Sequence, residues 1–268
     1  MNTIILGANG MLGRYIVQHW SKNNLVHTIT RKELDAETAN ESTIKQLLET
    51  IKYNKTTVIN CIGLIKPQVD LYGVEAAIRV NSLFPHKLAN VCQELKLNLV
   101  HITTDCVFSG RKGMYTEKDP HDALDVYGKT KSLGEPSNCM VIRTSIIGEE
   151  KENKRSLIEW IKSSAGKTIN GYTNHLWNGV TCLQLAKSIE EITKNNHIFC
   201  GLIHLYSPVC VTKYELVDLI NKEYNLNITI NPTTASELCD RTLKSNCDSL
   251  VKIPELKYQI KEMREFKL

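Results

Sequence analysis

The sequence predicts a doubly wound α/β fold, in which helices cover both faces of a parallel sheet. Three observations lead there. Short apolar runs alternate with helix-period stretches through residues 1–148. The runs are near-continuously apolar, which marks strands buried on both faces. The first run leads straight into Gly7-Ala-Asn-Gly10-Met-Leu-Gly13, a glycine-rich turn that opens a helix.

Taken in order, TIILGA (3–8) is the first strand, and a helix follows over 11–21. LVHTIT (25–30), enriched in β-branched residues, is the second strand. Ile44, Leu47, Leu48 and Ile51 recur at helical spacing and predict a helix over 42–53. TTVINCIG (56–63) is the third strand, ending in Gly. A long helix is predicted over 74–95, then the strand LNLVHITT (97–104), a loop, a helix from about Val126 and the strand CMVIRTS (139–145). After Gly148 the pattern changes. EEKENKR reads as a charged loop, SLIEWIKSS as a short amphipathic helix and GKTINGYTNHLWNGV as a polar, turn-rich stretch. Helices are predicted over 181–193 and 212–224, the strand LIHLYS over 202–207, and a Pro-punctuated helical end after them. The expected division is a nucleotide-binding domain at 1–148 and a smaller substrate lobe at 149–268, with about 180–207 returning to the sheet.

Composition narrows the class. The chain has 268 residues, 42% hydrophobic and 23% charged, with 14 Gly and 7 Pro, which excludes disorder, collagen-like repeats and coiled coil. No apolar run approaches the roughly 18 to 20 residues that span a bilayer. The N-terminus lacks a basic region and a cleavage site, so it reads as a strand and not as a secretory signal. The net charge of +4 is spread along the chain and points to neither nucleic acid nor membrane. Nine cysteines without a single C-x-x-C pair sit mostly in apolar stretches. They read as small hydrophobes in a reducing cytoplasm, with no disulfide framework and no metal site. His101, His175 and His204 lack metal-ligand spacing and read as structural.

Three motifs carry chemistry. In the glycine turn, Gly7, Asn9, Gly10, Met11, Leu12 and Gly13 would let backbone amides approach a pyrophosphate at a helix N-terminus, the signature of dinucleotide binding. At the end of the second strand, where a carboxylate would select NAD, stand Arg31 and Lys32. Two cations suit the 2′-phosphate of NADP, so NADPH is expected over NADH; the alternative is an ordinary solvated pair. The third motif is Tyr127-Gly-Lys-Thr-Lys131, which sets Tyr and Lys on one helix face. It follows a strand ending in Thr103-Thr104-Asp105, whose hydroxyls meet the ligand crevice of a parallel sheet.

Those motifs, with TTDCVFSG (103–110), MYTEKDP (114–120), VYGKTKSLGE (126–135), IRTS (142–145), NSLFPHKLA (81–89) and GLIHLYS (201–207), resemble the extended short-chain dehydrogenase/reductases, and within them the dTDP-4-dehydrorhamnose reductase family. The resemblance implies a Rossmann domain and hydride transfer from NADPH to the C4 ketone of a nucleotide-linked 4-keto-6-deoxy sugar. It implies that Tyr127 protonates the developing alkoxide, Thr104 binds the same oxygen, and Lys131 holds the nicotinamide ribose and lowers the Tyr127 pKa. Cys61, Ile62 and Gly63 would border the cofactor. Asp105, Val107, Phe108, Trp177, Asn178 and Arg241 would join Thr104 around the substrate, Trp177 either stacking or packing and Arg241 either meeting a diphosphate or forming a surface pair. Asn81 either supports a proton relay or packs a helix. A homodimer is common in the superfamily.

The chain also departs from the family pattern. Cys106 replaces the usual Tyr, and the segment from Asn60 to Asp70 is longer than usual, with Lys66 inside it. Ile146-Ile147 replaces an aromatic, and Asp240-Arg241-Thr242 stands where an Arg-Pro pair is common. A UDP-linked sugar, with or without a 2-acetamido group, therefore rivals the dTDP-linked one. Two other functions remain open. One is an epimerase or dehydratase, although Thr104-Asp105-Cys106 lacks the second carboxylate of a dehydratase. The other is the NADP-binding regulatory subunit of methionine adenosyltransferase, which does not turn over.

Overall fold

All six strands expected from the apolar runs form, and they share one sheet. The computed structural model describes residues 2–22, 24–53, 55–152, 154–246 and 249–268. The first half runs β1 (Asn2–Leu6), α1 (Met11–Trp20), β2 (Leu25–Ile29), α2 (Glu41–Ile51), β3 (Thr56–Asn60), α3 (Lys66–Ala77), α4 (Phe84–Glu94), β4 (Asn98–Thr104), α5 (Val126–Leu133) and β5 (Met140–Thr144). The second half runs β6 (Ile146–Ile147), α6 (Leu157–Ser163), β7 (Thr168–Tyr172), β8 (His175–Trp177), β9 (Val180–Thr181), α7 (Cys182–Lys194), β10 (Gly201–His204), β11 (Val211–Thr212), α8 (Lys213–Tyr224), β12 (Thr229–Thr233), β13 (Cys239–Asp240) and α9 (Leu256–Glu265).

The main sheet has the order β2-β1-β3-β4-β5-β10, parallel throughout. Side chains alternate faces along a strand, so β1 feeds two cores. Ile5 joins Tyr15, Trp20 and Ile189 under α1 and α7, while Ile4 and Leu6 join Ile44, Leu48 and Leu88 under α2 and α4. Trp20 is fully buried, and its indole N–H donates to the Ala186 carbonyl at 3.0 Å, tying α1 to α7. The order of connection reverses between β1 and β3, and a parallel sheet opens a crevice beyond its strand ends at such a point. Leu6 pairs with Asn60 and Thr104 with Thr144, so Gly7, Cys61 and Asp105 emerge along one rim.

Two expectations need correction. The helix predicted over 74–95 does begin after a break at Gly73 (φ +87°), but a helical stretch from Lys66, with Pro67 in its first turn, precedes it. Nor is it uniform, passing through a π-helical turn, Ile78–Leu83, into α4. The polar stretch after Gly166 is not only turns. It supplies β7, which pairs with β12, and β8, which lies between β11 and β13. β7 buries only Gly171 fully, which is why no apolar pattern announced it. Eight cysteines are free thiols, and Cys247 lies outside the described residues. Among the described residues no helix is long and apolar enough to cross a membrane, and no cluster of His, Cys, Asp or Glu is arranged to hold a metal.

Candidate active site

The glycine turn is built for close approach. The Gly7 N–H donates to the Ile29 carbonyl at 3.0 Å, and the Gly10 N–H to the Gly7 carbonyl at 2.9 Å. Gly7 has φ +79°, a conformation open mainly to glycine. A Cβ on Gly13 would lie 2.2 Å from the Gly7 carbonyl oxygen, so only hydrogen lets α1 seat this tightly against β1. No side chain caps α1 at Gly10, which leaves its first amides free to meet an anion.

Beyond the turn lies a cavity of about 460 Å³. Asn9, Gly10, Met11 and Leu12 line one wall, and Cys61, Ile62 and Gly63 a second. Thr104, Asp105 and Cys106 line the next, with Tyr127 and Lys131 of α5. Ser145, Ile146 and the loop 150–152 also border it. Residues from six separate stretches of sequence thus meet where the sheet reverses.

The position of α5 follows from its N-terminus. Asp125 caps it, accepting from the Gly128 N–H at 2.7 Å, and Lys66 pairs with the same carboxylate at 2.7 Å. A Cβ on Gly128 would stand 2.3 Å from the Cys106 carbonyl oxygen, so α5 lies directly on the strand-four loop. Asn81, fully buried in the π-helical turn, accepts from the Leu64 N–H at 2.8 Å and donates to the Leu64 carbonyl at 3.0 Å and Thr130 Oγ1 at 3.3 Å. Its side chain therefore clamps the β3 loop to α5. At the far end of α5, fully buried Arg143 pairs with Glu135 at 2.6 Å. Its guanidinium also donates to His121 and His204, whose Nε2 atoms must accept, so both imidazoles are neutral there. Burial, the larger cause, pushes both below the usual range.

The electrostatics of the crevice are dominated by desolvation. Burial lowers the Lys131 ammonium to about 8, with Glu135 opposing. Its Nζ donates to the Ile102 carbonyl at 3.2 Å. Burial raises the Tyr127 phenol well above its usual value, Cys106 adds to this, and the Thr104 hydroxyl works the other way. The Cys106 thiol is pushed up to about 12 by burial and stays protonated. Asp105 is raised by burial, with Arg241 and Thr104 opposing, and its Oδ1 accepts from the Thr104 hydroxyl at 3.1 Å.

Several residues expected at the site lie elsewhere. Val107 and Phe108 are fully buried and do not line the cavity, because the chain turns inward after Cys106. Phe108 stacks on Tyr115 with centroids 4.1 Å apart, in a satellite core with Leu243. Asn178 is tied to Leu243, accepting from its N–H at 2.9 Å and donating to its carbonyl at 2.8 Å. Trp177 is also buried; its indole donates to Ser145 Oγ at 2.8 Å and so buttresses the cavity wall from behind. Arg241 donates to the Phe108 and Ser109 carbonyls, at 2.8 and 3.3 Å, and stands in the field of Asp105. Arg31 lines a second cavity on the other side of the glycine turn, where Asp35 holds it at 3.1 Å. Lys32 lines neither cavity, because a tight turn closed by Glu33 on Thr30 directs it to solvent.

Other residues at the site carry no local signal. Arg14 of α1 lines the cavity and pairs with Glu152 of the opposing loop at 2.8 Å. The Lys213 ammonium lies 5.2 Å from the Trp177 ring centroid, and Asp105 draws its pKa up against the larger lowering by burial. Neither contact is local in sequence.

The family model described as the RmlD substrate binding domain matches residues 1–267. A dTDP-4-keto-6-deoxy-D-glucose reductase of Streptomyces niveus is 27% identical over 226 residues, 80% of this chain and 75% of that one. The methionine adenosyltransferase 2 subunit beta of Mus musculus is 29% identical over 249 residues, 83% and 72% of the two chains. A solved structure of dTDP-4-dehydrorhamnose reductase from Bacillus anthracis, in complex with NADP, superposes with a TM-score of 0.84 over 99% of each chain at 19% identity. With a match reaching from the first strand to the last helix, the chain belongs to the RmlD substrate-binding-domain family.

Proposed function

We propose that the protein is an NADPH-dependent reductase of a nucleotide-linked 4-keto-6-deoxy sugar, dTDP- or UDP-linked. The observation that carries this reading is the meeting of Thr104, Tyr127 and Lys131 on one wall of a cavity whose other end is the glycine turn. The residues fit a dinucleotide. The Gly7–Gly13 contact seats α1 close against β1, and the first amides of α1, which no side chain caps, are left for a pyrophosphate. Asn9, Gly10 and Met11 would hold the diphosphate, Cys61 to Gly63 the middle of the molecule, and Lys131 the nicotinamide ribose. When bound, the cofactor supplies the hydride.

The chain's own groups manage the charge that appears on the ketone oxygen. Thr104 turns its one proton from Asp105 Oδ1 to that oxygen, and Tyr127 donates its proton as charge develops there. Burial by itself opposes this direction, because a raised pKa makes Tyr127 a weaker acid, and the Thr104 hydroxyl works against that rise. Lys131 is still mostly an ammonium at pH 7, and its field stabilises the phenolate left behind. Asp105 is followed by Cys106, so the Asp-Glu pair of a dehydratase is absent from this stretch of sequence. Residues 149–268, apart from about 180–207, form the substrate side in this reading. The free thiols suit a reducing, cytoplasmic setting, and a homodimer is the expected assembly.

The test is NADPH oxidation by the purified protein with dTDP- and UDP-linked 4-keto-6-deoxy sugars, with and without a 2-acetamido group. Turnover that collapses in Tyr127→Phe supports the reductase. Relatives named as methionine adenosyltransferase subunits stand at similar identity, which keeps a regulatory reading in view. Tight NADPH binding without turnover, and co-purification with a methionine adenosyltransferase, would replace the reductase by that reading.

A further inference from the structure

The glycine turn stands between two cavities. The larger contains Thr104, Tyr127 and Lys131. The second, of about 260 Å³, shares Asn9, Gly10, Cys61, Ile62, Gly63, Leu64 and Gln68 with it but holds none of the three reactive side chains. Its remaining lining comes from the segment after β2, from α3 and from the π-helical turn, and includes Leu34, Val80, Tyr72 and Arg31 with its partners Asp35 and Glu37. If the pyrophosphate sits on the turn and the nicotinamide lies toward Tyr127, the other end of the dinucleotide has this apolar slot to enter.

Tyr72 reaches the slot through a break in the helix. It is the last residue before Gly73, whose φ of +87° and ψ of 171° lie in a region essentially reserved for glycine. Nothing lies within 4 Å of where a Cβ on Gly73 would be, so glycine is required by the backbone conformation and not by space. Tyr72 is 49% exposed, a large ring lining a cavity without being packed into a core. Arg31 stands in its field, oriented by Asp35 at 3.1 Å and Glu37 at 3.6 Å.

We propose that Tyr72 stacks on the adenine of the bound dinucleotide and that the Gly73 break exists to present it, beside an Arg31 aimed at the 2′-phosphate. A purine offers a flat π-face to an aromatic ring, and such stacking is worth enough to be read in affinity. This assignment rests on the reading of the crevice as an NADPH site, and the experiment separates the two. Calorimetric titration with 2′,5′-ADP, which carries only the adenosine end, is run on the wild type, Tyr72→Ala, Tyr72→Phe and Gly73→Ala. Expected are weakening of about tenfold or more in Tyr72→Ala, near wild-type affinity in Tyr72→Phe, and a loss in Gly73→Ala although that residue need touch no ligand. Wild-type affinity in Tyr72→Ala overturns the stacking role, as does an equal loss in Tyr72→Phe. No binding of 2′,5′-ADP by the wild type would instead remove the dinucleotide reading beneath it.

Discussion

Replacing Lys131 by Met should make the protein more stable and catalytically dead at once. Folding takes this amine from its ordinary 10.5 to about 8. Holding it charged at pH 7 therefore costs roughly 3 kcal/mol at about 1.36 kcal/mol per decade. Met has a similar shape without the charge, and loses the hydrogen bond to the Ile102 carbonyl, worth about 1 kcal/mol. The net expectation is a gain of about 2 kcal/mol at pH 7. The sign with pH follows from linkage. Between about 8 and 10.5 the unfolded chain binds the proton that the folded chain has released, so wild-type stability rises across that window. The Met variant has no such rise, and its advantage should shrink toward zero by about pH 10. Urea unfolding of the nucleotide-free proteins at pH 7 and pH 10 measures both numbers. A destabilised variant at pH 7, or an advantage independent of pH, would refute the desolvated ammonium. The same group should give reduction a basic limb, with activity falling as pH rises through about 8.

Two further outcomes follow from neighbouring groups. Glu135→Gln leaves Arg143 buried without its carboxylate and should cost about 3 kcal/mol in denaturant unfolding; because Glu135 also holds the Lys131 pKa up, the basic limb of the pH–rate profile should move to lower pH. Phe108→Ala should lose about 3–5 kcal/mol of stability by emptying the satellite core. In a background where the variant remains folded, its KM for the sugar nucleotide should be near wild type, since Phe108 lines no cavity.

What the sequence made legible was what is local. The six central strands are short apolar runs, and the Gly7–Gly13 turn and the Tyr127–Lys131 pair are each short in sequence; the pair gained weight only beside the strand-end hydroxyls at Thr103–Thr104 and the family resemblance. The helical turns before Gly73 were hidden because, over Lys66–Ala77, only Val69, Ala76 and Ala77 are buried, which leaves no apolar period to announce a helix. β7 escaped because a strand with little burial needs no apolar period. Val107 and Phe108 were misplaced for a different reason: adjacency to Thr104 in sequence says nothing about which way the chain turns after a strand. Arg14 reaches the crevice from a helix position that carries no ligand signature, through a contact to Glu152 that is distant in the chain.

The central claim, that Tyr127 gives a proton to a ketone reduced at this crevice, is tested most directly by single-turnover NADPH oxidation. Wild type and Tyr127→Phe are mixed with a dTDP- or UDP-linked 4-keto-6-deoxy sugar and followed by nicotinamide absorbance. A wild-type transient that disappears in the Phe variant, with NADPH affinity retained in both, is the predicted result. Equal transients in the two proteins would contradict the role of Tyr127, and a wild type that binds NADPH yet oxidises none with any of these sugars would contradict the reductase itself.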